Sequence, residues 1–425
     1  MKAVVLAAGE GLRLRPLTFT RPKHMISICG KPVLEHCLEA IKACGINHII
    51  IVVHYMADVI RHYFGFGERL GLQIEYVEQP NVLGTGNAVS VAEPLVDDNF
   101  VLVYGDLLFT PEALKKVILL HDTKKPAATL ASVPVDRLED YGILEIGKDG
   151  LVKRIMEKPA REEAPSNMAN AGIYAFSKEI FEKTKKIKAS SRGEWEITDA
   201  IELLIKEEKP VFAAEIPRTD WFDIGRPWDL LEANSWILNR MKHKILGHIE
   251  AGAHITGAVT VAENARIRSG AYIEGPAYIG EHSDIGPNCY IRPCTSIGRK
   301  VRIGNACEIK NSIIMDGVHV GHLSYVGDSV IGENCNLGAG TITANYRFDA
   351  GTVKMIVRDK LVDSGRTKLG AILGDNVKTG INALFMPGIK VGNNCWIGPN
   401  VVVYRDVPPN TAVFLRQELE EKRLG

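Results

Sequence analysis

IEAGAHITGAVTVAENARIRSGAYIEGPAYIGEHSDIGPNCYIRPCTSIGRKVRIGNACEI, residues 249–309, places an aliphatic residue at every sixth position. Ile249, Ile255, Val261, Ile267, Ile273, Ile279, Ile285, Ile291, Ile297, Ile303 and Ile309 follow one another without a gap. Gly, Pro and Asn fill the positions between them. An α-helix cannot keep every sixth residue on one face, because six residues turn through about 600°. Short strands separated by tight turns can, so the spacing predicts a hexapeptide solenoid. The register slips near Ile314 and again before Ile331, then resumes at Ile331, Leu337 and Thr343. An insertion at 344–370 interrupts it, and Leu373, Thr379, Phe385, Val391, Ile397 and Val403 restore it.

Working outward, the first 235 residues have a different rhythm. KAVVLAA, HIIIVVH, NFVLVYGD, AATLASV and KPVFAAEI are continuous aliphatic runs, as strands of a parallel sheet covered on both faces require. Amphipathic stretches such as PVLEHCLEAIKACG lie between them and end on Gly, a common helix stop. The alternation predicts a Rossmann-like α/β domain over 1–235 with ligands at the carboxyl ends of the strands. SWILNRMKHKILGH reads as a linker helix over 236–248, the solenoid occupies 249–408, and 409–425 reads as a cap with a short helix.

The totals exclude several classes. Lys+Arg and Asp+Glu are equal at 51 each, which offers nothing to attract nucleic acid or an anionic membrane. No run reaches the ~18 apolar residues a membrane helix needs, and MKAVVLAAGEG breaks too early for a signal peptide. The eight cysteines form no CxxC pair, so reduced thiols in a cytoplasmic protein are expected.

The string LAAGEGLRLRPLTFTRPKHM opens directly after the first predicted strand. Gly9 and Gly11 let backbone N–H groups approach a phosphate chain, and Arg13 and Lys23 add fixed positive charge. The full pattern GEGxRxRPLTxxxPK resembles the signature of the sugar-phosphate nucleotidylyltransferases, which join a sugar 1-phosphate to a nucleoside triphosphate and release pyrophosphate. Six further segments follow in that family's order. The resemblance assigns Ala8, Gly9, Gly11, Gln79, Gly84 and Thr85 to the nucleotide, with the Gln79 amide reading a pyrimidine edge and the chain from Gly84 to Gly86 passing under it. It assigns Asp106 of LVYGDLLF and Asp223 of DWFDIGRP to Mg²⁺, and Gly142, Glu157, Lys158 and Asn170 to the sugar and its phosphate. Catalysis implied here is positioning and charge neutralisation, with Arg13 and Lys23 facing the leaving pyrophosphate.

Hexapeptide solenoids are left-handed parallel β-helices, known as trimeric scaffolds, many of them acyltransferases. GHLSYVGDSVIGENCNLGAGTITANYRF resembles the acetyltransferase half of the bacterial bifunctional enzymes that make UDP-N-acetylglucosamine. The resemblance implies His322 as general base and Arg292, Lys310, Tyr325, Asn336, Asn345 and Tyr346 as sugar-phosphate contacts. It implies Ala339 and Lys368 beside acetyl-CoA. A neutral His suits the task, since an amino sugar must lose a proton before its nitrogen attacks a thioester. The insertion departs from the bacterial pattern and resembles archaeal two-domain sugar nucleotidylyltransferases; it is expected beside the acceptor, with Lys354 or Lys368 as the contact. WFDIGRP looks more like the glucose-1-phosphate thymidylyltransferases. Glucosamine and galactosamine 1-phosphates, and UTP and dTTP, therefore stand as alternatives. A homotrimer or a dimer of trimers acting on small molecules is the expected assembly. A nucleotidylyltransferase with the solenoid as mere scaffold, and a catalytically silent regulatory subunit, are the competing readings; the latter expects losses at Arg13, Lys23, Asp106 or Asp223, all of which are present.

Overall fold

Val261, Ile267, Ile273, Ile279, Ile285, Ile291, Ile297, Ile303 and Ile309 are all fully buried and form one continuous core. Parallel pairing explains why: Ile249, Ile267, Ile285 and Ile303 stack on one face of a three-sided prism. Ile255, Ile273, Ile291 and Ile309 stack on the second, and Val261, Ile279 and Ile297 on the third. Each coil is thus three hexads, and the inward residue of each hexad lies directly over its counterpart one coil below. Full burial of one such side chain contributes about 1.5–3 kcal/mol. The corners demand left-handed backbone, which Asn tolerates better than most residues; Asn264, Asn334, Asn376, Asn394 and Asn410 all have positive φ. The fold is the left-handed parallel β-helix of hexapeptide coils.

The computed structural model describes residues 1–190 and 193–424. These fall into two units, one made of Met1–Glu10, Pro22–Met25 and Pro32–Ile224, the other of Gly11–Arg21, Ile26–Lys31 and the chain from Gly225 onward. No helix among the described residues is long and apolar enough to cross a membrane, and all eight cysteines are free.

Both register slips have one cause. Ile297 pairs with Ile314 and Ile314 with Ile331, each 17 residues on, whereas Ile291 pairs with Ile309 at 18. The missing residue falls after Ile309 and again after Val326, at the same edge of the prism. The insertion leaves from that edge too, since Thr343 pairs directly with Phe385. Within it Lys354–Val357 and Lys360–Asp363 form an antiparallel hairpin around Arg358 and Asp359, both left-handed. Its base is buried through Val353 and Met355.

Close coil stacking gives a direct test. A Cβ built on Gly304 would lie 1.8 Å from the Gly321 carbonyl oxygen. Gly304→Ala must push two coils apart, and overpacking of this kind costs roughly 1–3 kcal/mol or more. A lowered melting temperature is expected; an unchanged one contradicts the stacking.

Two sequence expectations are corrected at the ends of the β-helix. The helix predicted over 236–248 instead spans Asp229–Leu238, and Lys244–Ile245 already pairs with the strand Val259–Val261. The helix predicted in 409–425 is absent among the described residues; Ala412–Val413 adds a last strand beside Trp396–Ile397. Both segments carry residues that suit either state, and pairing with a neighbouring coil decides.

In the first unit the five aliphatic runs all become strands. Lys2–Ala7 lies parallel to His48–Val53 and to Phe100–Tyr104, and His48–Val53 to Gln73–Glu78. The sheet is mixed rather than parallel throughout. Met168–Phe176 enters antiparallel to Phe100–Tyr104 and Ala128–Pro134, with Gly142–Ile146 and Val152–Glu157 beyond it. Burial on both faces makes a strand aliphatic whichever way it runs, so hydropathy cannot report direction. The helix Val33–Lys42 ends before Gly45, as the sequence predicts.

Candidate active sites

The first unit gathers charge at the ends of its central strands. Phe100–Tyr104 runs into Gly105 and Asp106, and Leu107–Phe109 then pairs antiparallel with Trp221–Asp223. Asp223 faces Leu107 in this register, which puts it beside Asp106. The Lys23 ammonium is ion-paired with Asp106. Burial acts to raise the Asp106 pKa, yet the charge of Lys23 and the hydrogen bond from Lys23 together hold it below the usual carboxylate range. The pair's contribution is therefore complete above that range and is lost as pH falls through the depressed value. His24, buried next to it, is pushed down to about 3 by burial and by the Lys23 charge, so it stays neutral. Tyr141 Oη donates to Asp223 Oδ2 at 3.4 Å.

The two carboxylates suit a hard divalent cation. They are oxygen donors, Asp106 in the turn before Leu107–Phe109 and Asp223 at the end of the strand paired with it, and a cationic ammonium is already drawn to one of them. No cluster of three or more His, Cys, Asp or Glu side chains that could ligate a metal occurs among the described residues.

Glycines of the segments expected at the nucleotide do specific work. A Cβ on Gly9 would touch Lys23 Cε at 3.4 Å, so the backbone there lies against the lysine stem. The Ala8 carbonyl is taken by the Tyr55 N–H. Gly84 has φ 119°, and a Cβ on it would sit 2.6 Å from the Trp195 carbonyl oxygen. Trp195 N–H donates to the Leu83 carbonyl at 2.6 Å and Gly86 N–H to the Trp195 carbonyl at 2.7 Å. Ile197 N–H donates to Thr85 Oγ1 at 2.9 Å. The close approach these glycines permit is to the chain itself, a partnership with Trp195 that sequence reading missed. Gln79 is buried, and its Nε2 donates to the Gly84 carbonyl at 3.2 Å and to Asn87 Oδ1 at 2.8 Å. Both amide hydrogens are thereby used, which leaves Oε1 as its acceptor.

Gly142, Glu157 and Asn170 converge on three adjoining strands. Gly142 pairs with Glu157, and Ile143 with Ala169. Asn170 Nδ2 donates to Tyr174 Oη at 2.7 Å, and Tyr174 Oη meets Tyr104 Oη at 3.1 Å. Lys158 follows with left-handed backbone, its N–H on the Tyr141 carbonyl. Gly11 and Arg13 belong to the other unit. Gly11 is left-handed (φ 74°) and opens the 3-10 turn Leu12–Leu14, on which Arg13 is exposed. Arg21, at the end of that segment, is ion-paired with Glu333 and Asp375, an anchor the sequence did not reveal.

On the β-helix, Arg292, Lys310, Tyr325, Asn345, Tyr346 and Lys368 line one cleft of about 390 Å³. Arg292 and Lys310 stand one coil apart on the edge where the register slips, and Asn345 stands two coils above Lys310. Arg292 Nη1 donates to Glu308 Oε1 at 2.9 Å, and this bond holds the guanidinium charged. Burial raises the Tyr325 pKa, and its hydroxyl accepts from Asn345 Nδ2 at 3.0 Å. Tyr346 and Lys368 form an antiparallel bridge that closes the neck of the insertion. Lys354 sits on the exposed hairpin and lines no part of the cleft, whereas Lys368, assigned by resemblance to acetyl-CoA, lies with Arg292 and Lys310. His322, Asn336 and Ala339 stand outside the lining. His322 ends the strand His319–His322 on a different prism face, exposed, with Asn336 one coil above it on that face.

Comparison with known proteins is consistent across the chain. Residues 2–240 match the nucleotidyl transferase family, 273–384 the GMPPB C-terminal domain and 370–405 the bacterial transferase hexapeptide (six repeats). A Methanocaldococcus jannaschii protein described as bifunctional protein GlmU is 46% identical over 424 residues, covering 100% of both chains. A Sulfurisphaera tokodaii protein described as a bifunctional sugar-1-phosphate nucleotidylyltransferase/acetyltransferase is 44% identical over 409 residues, 96% of this chain and 98% of that protein. The solved structure of a UDP-glucose pyrophosphorylase complexed with UDP-glucose superposes with a TM-score of 0.52 at 27% identity, over 56% of this chain and 98% of that one.

Proposed function

The chain belongs to the family of bifunctional sugar-1-phosphate nucleotidylyltransferase/acetyltransferases, and from that premise we propose that it N-acetylates glucosamine or galactosamine 1-phosphate with acetyl-CoA and then transfers a uridylyl or thymidylyl group to the sugar phosphate. The observation that carries the acetyl-transfer half is the cleft, because a bare scaffold has no use for three cations, two tyrosines and an asparagine converging on one edge.

In the first unit the sugar-phosphate oxygen attacks the α-phosphorus, the bond to pyrophosphate breaks, and Lys23 offsets the charge that leaves. Gly142, Glu157, Lys158 and Asn170 orient the sugar. Asp106 and Asp223 would hold Mg²⁺, which when bound neutralises phosphate charge. The Oε1 acceptor of Gln79 suits the N3–H of uracil or thymine and opposes the N3 lone pair of cytosine, a polar mismatch that supports strong discrimination. In the second unit Arg292, Lys310 and Lys368 receive the sugar phosphate, His322 takes a proton from the amine, the nitrogen attacks the thioester carbonyl, and the CoA thiolate leaves. A backbone N–H of the coil stabilises the oxyanion. His322, Asn336 and Ala339 complete this site from a neighbouring copy of the chain in a trimer. We place the enzyme in the cytoplasm with its nucleotide and thioester substrates.

One assay series tests the reading. Protein incubated with acetyl-CoA and either amino-sugar 1-phosphate is expected to release CoA, detected with a thiol reagent. With Mg²⁺ and N-acetylglucosamine 1-phosphate, UTP and dTTP are expected to yield pyrophosphate, and CTP much less. Pyrophosphate without CoA from either sugar leaves the β-helix as scaffold; comparable use of CTP removes the role of Gln79.

A further inference from the structure

We infer that Asp328 is the positioning residue of the acceptor cleft, fixing which atoms of Lys310 and Asn345 meet the amino-sugar phosphate. This rests on the acetyl-transfer reading of the β-helix. Asp328 is 2% exposed and has left-handed backbone (φ 49°), at the second of the two shortened corners. Its Oδ2 accepts from Lys310 Nζ at 2.9 Å and from Asn345 Nδ2 at 2.5 Å, and its Oδ1 accepts from Asn311 Nδ2 at 2.6 Å. Its own N–H donates to the Lys310 carbonyl at 2.9 Å, and its carbonyl accepts at 2.8 Å from the N–H of Gly370, where the insertion rejoins the coil. One residue thus ties the first shortened corner, the second and the insertion into a single edge.

Geometry alone does not call for a carboxylate there. Asn311, at the equivalent corner one coil below, has φ 44° with a neutral amide, so the turn accepts either residue. The charge acts on the partners. A carboxylate only accepts hydrogen bonds, so Asn345 must turn its NH₂ toward Asp328. The same NH₂ donates to Tyr325 Oη, which uses its second hydrogen. Asn345 then offers the cleft only its Oδ1, an acceptor matched to a sugar N–H or O–H. Lys310 keeps two of its three N–H bonds for phosphate. Without Asp328 a largely buried lysine would lack its counter-charge, and the Asn345 amide could flip.

The test is Asp328→Asn, which preserves shape and removes the charge. Assayed by CoA release on the full chain, it is expected to raise KM for the amino-sugar 1-phosphate about 10- to 100-fold, the scale of a lost charged hydrogen bond. KM for acetyl-CoA and the release of pyrophosphate by the same preparation should stay within about twofold, inside the scatter expected for untouched contacts. The double variant with Lys310→Ala should raise the acceptor KM by less than the product of the two single effects, because only the part of the loss carried by Asn345 then remains. An unchanged acceptor KM, or equal rises in both KM values, overturns the role of Asp328. A wild-type protein that releases no CoA overturns the acetyl-transfer reading itself. Where Asp328→Asn does not fold, Asn311→Ala loosens the same carboxylate from outside the cleft. It should raise the acceptor KM alone, and its failure to do so overturns the proposal.

Discussion

His322→Ala is expected to lower CoA release by about 10²–10⁴-fold, the usual contribution of a general base, while pyrophosphate release stays at the wild-type level. The amine of an amino sugar is largely protonated near neutral pH, and the loss of the imidazole removes the group that takes its proton. His322 is exposed at the end of its strand, and its side chain supports no part of the described hydrophobic core. Truncation there should leave the coils intact, so melting temperature should not move. The substitution also probes assembly. Because His322 stands outside the cleft of its own chain, mixing inactive His322→Ala with inactive Lys310→Ala subunits should restore part of the CoA release if the two groups come from different copies. Full activity of His322→Ala alone assigns the base elsewhere.

Lys23→Ala should reduce pyrophosphate release by about 10²–10³-fold or more, the loss typical of one preorganised charge-stabilising donor, with CoA release retained. Two effects combine. The leaving pyrophosphate loses a cation, and Asp106 loses the ion pair that holds its carboxylate ionised. Asp223→Ala separates the two, because it leaves Lys23 and Asp106 paired and removes only the second carboxylate. Loss of pyrophosphate release in both variants, with solubility unchanged, places both residues in the reaction. Near-normal turnover in either removes that residue from it.

Much of this architecture was readable because it is written in short periods. A hexad names its own inward residue, and Val261 to Ile309 are buried on schedule with no knowledge of the rest of the chain. The slips near Ile314 and Ile331 were legible as irregularities, but their significance was not. Only the pairing register shows that both fall at the same edge as the insertion. The candidate site residues of the first unit were legible as ordered segments, yet the segment that carries Trp195 went unnoticed because its contacts with Leu83 and Gly86 are backbone contacts that any side chain could make.

The sequence therefore determined the two fold classes, the location of the solenoid core, and the residue types available for phosphate, metal and proton transfer. These depend on hydropathy period and side-chain chemistry, which are properties of neighbours along the chain. Tertiary structure decided the direction of Met168–Phe176, the end of the helix at Leu238, the place of Lys368 in one cleft with Arg292 and Lys310, the separation of His322 from that cleft, and the burial of Asp328 beneath Lys310 and Asn345. Each of these rests on contacts between coils or strands remote in sequence, where the path of the backbone, and not the pattern of residues, sets which polar atoms meet.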